Sequence, residues 1–194
     1  MSAPARAQIT SAESGLWSHT ATWAGGVVPA AGDAVTITAG HTVSVDITTA
    51  TASTTTINGT LSFSRVAHGS LTIVGGDVTV EPGGHLDLGT EASPIPAGTT
   101  AHLVLAYGRT AGQYGLIVQD GGDFTARGAT KSPYGFALGN IDAAGTFLTV
   151  SASSATGWAV GDTIAIGPTT GTGPSSTEQR VVTDISGPGP LIVS

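Results

Sequence analysis

Along this chain apolar residues fall at every second position in a series of short runs. They are Val35 and Ile37, Val43 and Val45, Leu61 and Phe63, Leu71 and Ile73, Val78 and Val80, Leu86 and Leu88, Leu103 and Leu105, Phe124 and Ala126, and Ile164 and Ile166. Successive side chains of a strand point to opposite faces, so a period of two buries one face and leaves the other in water. No stretch carries the i, i+3, i+4 stripe of an amphipathic helix. The pattern predicts an all-β protein built from short, half-buried strands.

The punctuation between the runs repeats too. Gly59-Thr60-Leu61-Ser62-Phe63, Gly76-Asp77-Val78-Thr79-Val80, Gly84-His85-Leu86-Asp87-Leu88 and Gly122-Asp123-Phe124-Thr125-Ala126 share the order Gly, polar, apolar, polar, apolar, and Gly40 opens a related unit with its apolar pair one place later. Gly suits the positive-φ corners between strands. Such a series fits either a hairpin sandwich or the stacked coils of a parallel β-helix, and spacing alone leaves both open. Two features favour the coils. The Gly corner recurs before each inward-pointing pair, as it would if each strand met its counterpart in the next coil. The irregular segment Thr90–Thr100 reads as an insertion at a corner, which a solenoid tolerates. In the last third, Phe147–Val150, Gly157–Ile166 and Arg180–Ile185 are strand candidates around the polar loop Gly167–Gln179, and Leu191–Val193 closes the chain as a strand. The expected organisation is an N-terminal arm over 1–14, a β-solenoid over 15–140, and a β-rich segment over 141–194 that either appends to the coils or continues them.

Composition agrees with this picture. Only 10% of residues are charged and 29 are Gly, while the strong helix formers are scarce, so helix should be minor. A formal net charge of -7, with Lys131 the one lysine, leaves no basic stripe to neutralise phosphates, and nucleic-acid binding is not expected. The acidic balance reads as a solubility feature. The absence of Cys removes disulfides, thiolate zinc sites and cysteine nucleophiles together. The N-terminal stretch MSAPARAQITSAESG lacks the apolar segment of a secretory signal, and no later run is long enough to cross a membrane. The chain is therefore expected to be made in the cytoplasm without membrane insertion.

Residues from Trp17 to about Arg127 resemble the G8 domain family. The resemblance is carried by Trp17 and Trp23, Gly26, Pro29, Gly32-Asp33, Val35-Thr36-Ile37, Gly40, Val43 and Asp46. It continues through Gly59-Thr60-Leu61, Leu71, Gly83-Gly84-His85-Leu86, Gly89-Thr90, Pro94 and the strand Ala101–Leu105. The segment from 147 to 194, with Val150–Ser154, Trp158, Gly161-Asp162, Ile164 and Glu178-Gln179-Arg180, is similar to the region C-terminal to G8 domains in larger proteins. The resemblance implies a right-handed parallel β-helix whose Trp-containing N-terminal segment caps the first coil, with Trp17 and Trp23 as core or cap residues. A cap is physically apt, because the open end of a solenoid exposes unpaired strand edges.

Candidate chemistry is sparse. Gly32-Asp33 and Gly161-Asp162 each precede an alternating strand, where the carboxylate is expected to accept backbone N–H bonds at the strand start. His41 and His85 follow Gly corners, and if those corners stack the two imidazoles share a face with Asp87; no third and fourth ligand stands at a recognised metal spacing. Asp77, Glu81, Asp87, Asp120 and Asp123 are the densest acidic set, but the run Gln119–Asp123 lacks the Asp/Asn series and closing Glu of a Ca²⁺ loop. No Gly-x-Ser-x-Gly elbow occurs, and Gly75-Gly76 and Gly121-Gly122 lack the following helix and Lys of a phosphate loop, so both read as corners. No catalytic, cofactor-binding or metal residue is assigned, and no cofactor is expected.

The function expected from the sequence is that of a non-enzymatic structural or interaction protein acting through surface contacts, with a phage virion component (capsid decoration or tail-associated) as the particular setting. Its partners would be capsid or tail subunits or a second copy of itself, and its location the virion or the extracellular space after release. The alternative is an extracellular glycan-binding or glycan-processing domain, for which Tyr107, Tyr114 and Tyr134 are the aromatic candidates.

Overall fold

The computed structural model describes residues 7–106, 115–139, 147–151, 154–167, 177–185 and 190–193. The chain divides into two compact units, Met1–Ala129 and Thr130–Ser194.

Among the described residues the first unit holds thirteen short strands: β1 (Gln8–Thr10), β2 (Gly15–Leu16), β3 (Ala34–Ile37), β4 (Thr42–Val45), β5 (Ala50–Ala52), β6 (Thr55–Ile57), β7 (Thr60–Phe63), β8 (Gly69–Val74), β9 (Val78–Val80), β10 (His85–Leu88), β11 (Ala101–Ala106), β12 (Leu116–Val118) and β13 (Asp123–Ala126). They form three sheets, in the orders β1-β3-β6-β9-β12, β2-β4-β7-β10-β13 and β5-β8-β11. From β3 onward successive strands visit the three sheets in turn, and every pair is parallel. A hairpin sandwich would pair consecutive strands antiparallel, so the observed pairing is consistent with a β-solenoid. Gln8–Thr10, within the segment read as an N-terminal arm, is strand β1 and pairs with β3.

In-register parallel pairing stacks like on like. Val43, Leu61, Leu86 and Phe124 occupy one column, Ile37, Ile57, Val80 and Val118 a second, and Ala52, Ile73 and Leu105 a third. The inner members of these columns are almost wholly buried and make up the core. Each fully buried aliphatic side chain contributes about 1.5–3 kcal/mol of hydrophobic stabilisation. The outward columns are polar, as in Thr42, Thr60, His85 and Asp123, or Ser44, Ser62, Asp87 and Thr125.

Gly59, Gly76, Gly84 and Gly122 serve close packing and not, as the sequence suggests, a positive φ, whereas Gly40 does take one, at 83°. A Cβ on Gly59 would run into the carbonyl oxygens of Thr38 and His41, and one on Gly84 into that of Ile57, because the turn is pressed onto the preceding coil. The positive φ belongs to the glycine before at Gly75, Gly83 and Gly121, and at Gly83 (φ 81°) a Cβ would meet nothing within 4 Å.

Trp17 and Trp23 lie in the core, as expected from the resemblance. Their rings meet edge to face at 4.9 Å. The Trp23 indole Nε1 donates to the Trp17 carbonyl at 2.8 Å, and the Trp17 amide donates to Ser44 O at 2.8 Å, which fixes the segment to β4. A single 3-10 turn, Thr20–Thr22, carries the chain between the two rings. The Trp17 Nε1 is buried without a hydrogen-bond partner, which costs about 1–3 kcal/mol.

The second unit contains β14 (Phe147–Thr149), β15 (Thr163–Ile166), β16 (Glu178–Ile185) and β17 (Pro190–Val193), an antiparallel sheet in the order β14-β17-β16-β15. Leu148, Val150 and Val182 form its small core, with Ala155, Trp158, Ile164 and Ile166 packed against them. Its strands are thus not further parallel coils.

Candidate functional site

Most side chains that could carry chemistry hold the scaffold instead. Asp33 Oδ2 accepts the Ala30 N–H at 3.0 Å, and Asp162 Oδ2 accepts the Ala159 N–H at 2.7 Å, so both Gly-Asp turns are closed by the same three-residue bracket. This is the role their position before a strand predicts. Asp46 binds the Ser18 amide at 3.0 Å and its hydroxyl at 2.6 Å, and Asp77 Oδ1 accepts the Gly115 N–H at 2.8 Å. These bonds tie the loops to neighbouring coils.

The two histidines do not converge. Pairing sets His85 beside Thr60 and Thr60 beside Thr42, which leaves His41 one residue outside that column. His41 Nδ1 lies 2.9 Å from Ser11 Oγ, whereas His85 Nε2 lies 2.9 Å from Thr125 Oγ1 and 3.4 Å from Asp123 Oδ2. Asp87 points both carboxylate oxygens at Arg65 Nη2, at 2.7 and 2.8 Å, and also accepts the Gly89 N–H at 2.7 Å. His85 and Asp87 share the outward face of β10, but His41 does not join them. The turn 119–122 stacks on the turn 81–84 through the Gly83 N–H and the Gly121 carbonyl at 2.8 Å, which places Asp120 and Glu81 on neighbouring corners. Among the described residues no group of three His, Cys, Asp or Glu is placed to hold a metal ion. Gly75-Gly76 and Gly121-Gly122 are turns, as read from the sequence.

Of the tyrosine candidates, Tyr107 and Tyr114 lie outside the described residues. Tyr134 is 67% exposed and meets Phe136, 70% exposed, edge to face at 5.7 Å. Tyr134 borders a cleft of about 470 Å³ in the second unit. One wall is the segment 131–135 and the other is 162–167, with Leu148, Val150 and Trp158 also lining it. The Trp158 Nε1 donates to Ser132 O at 2.8 Å, and the Lys131 ammonium pairs with Asp162 across the cleft. The Lys131 hydrogen bond, seconded by the Ala159 amide, holds the Asp162 carboxyl below its ordinary value. The sequence offered both Lys131 and Gly161-Asp162, but nothing in its local pattern links residues 31 apart.

Fold and site together define an all-β protein of parallel, solenoid-type sheets carrying a smaller antiparallel unit. The chain belongs to the G8 domain family, whose model matches residues 22–138, more than half of its length. The match begins after Trp17 and runs past Arg127. No protein of curated function and no solved structure matches the chain.

Proposed function

We propose that this chain is a non-enzymatic interaction module of the extracellular type, in which the parallel strands close into a right-handed β-helix and present outward columns and strand edges to protein partners. The right hand is what membership of the G8 family implies, and it agrees with the general preference of parallel crossovers. One observation carries the functional reading: the side chains that could do chemistry, Asp33, Asp77, Asp87, Asp162, His41 and His85, are each engaged in a bond that holds one part of the scaffold to another. Family membership favours an extracellular setting. Decoration of a virion would be one use of such a module, with capsid or tail subunits or a second copy as the partner.

A glycan-binding reading is favoured by the exposed Tyr134–Phe136 pair, which offers an aromatic edge beside a cleft. The two readings separate in one set of measurements. The protein is incubated with a polysaccharide panel with and without Ca²⁺, read for retention and for new reducing ends, and is sedimented alone and with capsid, tail or cell-surface proteins. The proposal expects a protein complex or a self-associated species and no new reducing ends. New reducing ends, or retention on glycan with no protein association, would overturn it.

A further inference from the structure

Asn or Asp stands directly before Gly at Asn58-Gly59 and at Asp120-Gly121. In such a pair the glycine's backbone nitrogen can attack the preceding side-chain carbonyl carbon, because no Cβ crowds the approach. Ring closure expels ammonia from Asn, or water from the neutral form of Asp. The cyclic imide then takes up water, and opening at the former main-chain carbonyl leaves isoaspartate, with the chain running through Cβ and Cγ. In an unfolded chain at neutral pH the Asn-Gly pair closes first, since an Asp carboxyl is almost wholly ionised and a carboxylate resists attack.

The fold treats the two pairs differently. Closure needs the peptide between the two residues to rotate toward the side chain. At the first pair the Gly59 N–H donates to Ile37 O at 3.1 Å, and the next amide, Thr60 N–H, donates to His41 O at 2.8 Å. Gly59 is pressed against the carbonyl oxygens of Thr38 and His41, and Asn58 is half-buried. Rotation there breaks a main-chain bond and drives backbone into backbone.

Asp120 and Gly121 occupy the middle of a turn that the Gly122 N–H closes onto Gln119 O at 2.9 Å, with Gly121 at φ 84°, the type II form. Both residues are exposed, and the flanking residues 115–127 are all described. A Cβ on Gly121 would meet only Pro82, no nearer than 3.6 Å. Among the described residues neither the Asp120 carbonyl nor the Gly121 N–H has a hydrogen-bond partner. Type I and type II turns differ by rotation of this central peptide, and Gly accepts both forms. The peptide can therefore swing without losing a bond.

We propose that Asp120-Gly121 is a self-modification site at which the folded chain converts to isoaspartate, while the chemically faster Asn58-Gly59 is held in reserve by its coil. The product lengthens the main chain by one atom in the turn that stacks on 81–84 through the Gly83 N–H and the Gly121 carbonyl. It also creates the free α-carboxylate that isoaspartyl methyltransferases methylate, which supplies the probe.

The full chain is aged at neutral pH, folded in buffer and unfolded in guanidinium. Isoaspartate at each site is read by enzymatic methyl transfer and by fragment-ion mass spectrometry that separates the two linkages. In the unfolded sample conversion at Asn58 should lead. In the folded sample the order should reverse, with conversion at Asn58 slowed more than about tenfold, the equivalent of one main-chain bond at the upper end of its usual range. Asp120→Glu, whose longer side chain closes a larger and slower ring, should remove the methyl signal of the folded chain, with circular dichroism confirming the fold. Conversion led by Asn58 in the folded chain overturns the proposal. So does a folded chain without isoaspartate at 120 once Asn58 has fully converted in the unfolded one.

Discussion

At the residue scale, the glycines show how one amino acid serves two different needs in one turn. Gly84 has no room for a Cβ because the Ile57 carbonyl occupies the place, while Gly83 has ample room and an unfavourable φ of 81° for any other residue. Gly83→Ala should cost about 1–2 kcal/mol, the penalty of a left-handed backbone. Gly84→Ala should cost about 1–3 kcal/mol or more, because backbone must move. Urea denaturation of both variants is expected to rank Gly84→Ala as the more damaging. Asp162 supplies a pH signature. Its pKa is depressed on folding, first by Lys131 and then by the Ala159 amide, so its contribution is complete above the ordinary value of 3.8 and is lost as pH falls through the lower folded value. The Asp162→Asn variant should lie below the unaltered chain in thermal midpoint at neutral pH, and the gap should close under acid conditions. A constant gap across a pH series would contradict that role for Asp162.

At the element scale, the alternation of apolar residues marked β3, β4, β7 to β11, β13 and β15, and of these β3, β4, β7, β8 and β9 each bury two large apolar side chains. Leu61→Ala should therefore cost about 2–5 kcal/mol. The outward neighbour Ser62→Ala should change stability by no more than about 0.5 kcal/mol. Similar losses for both would place the strand in another register. The alternation does not mark β5 and β6, where Ala50, Ala52 and Thr55 point inward and Ile57 is the single large apolar side chain. Small and hydroxylated side chains give no hydrophobic contrast, so a buried strand made of them resembles a loop. Strand β1 escaped for a related reason, having one buried apolar residue, Ile9, among polar neighbours. The candidate site was less legible still. His41 and His85 could be named from the sequence, but their registers depend on pairing between strands, and the cleft joins Lys131 to Asp162 through contacts that no local pattern encodes.

At the scale of the whole molecule, the parallel ladders and the polar brackets belong to one design. Stacking each strand on the one three places earlier puts apolar residues in continuous inner columns and leaves outward columns of Thr, Ser, His and Asp. The carboxylates that survive inside this arrangement do so by holding backbone amides or Arg65. That engagement of the polar side chains in the scaffold is the basis of the function proposed. Because the chain has no cysteine, the parallel register can be measured directly. Ser44 and Ser62 are partners in the parallel strands β4 and β7, and neighbouring strands lie about 4.8 Å apart, within the span of a disulfide. In the double variant Ser44→Cys/Ser62→Cys, mild oxidation should give rapid, nearly complete intramolecular cross-linking of the folded chain. The Thr36→Cys/Thr42→Cys variant, which would cross-link in an antiparallel hairpin of β3 and β4, should stay reduced under the same conditions. The opposite outcome, a cross-link between 36 and 42 and none between 44 and 62, would contradict the parallel pairing of β4 with β7 and the fold built on it.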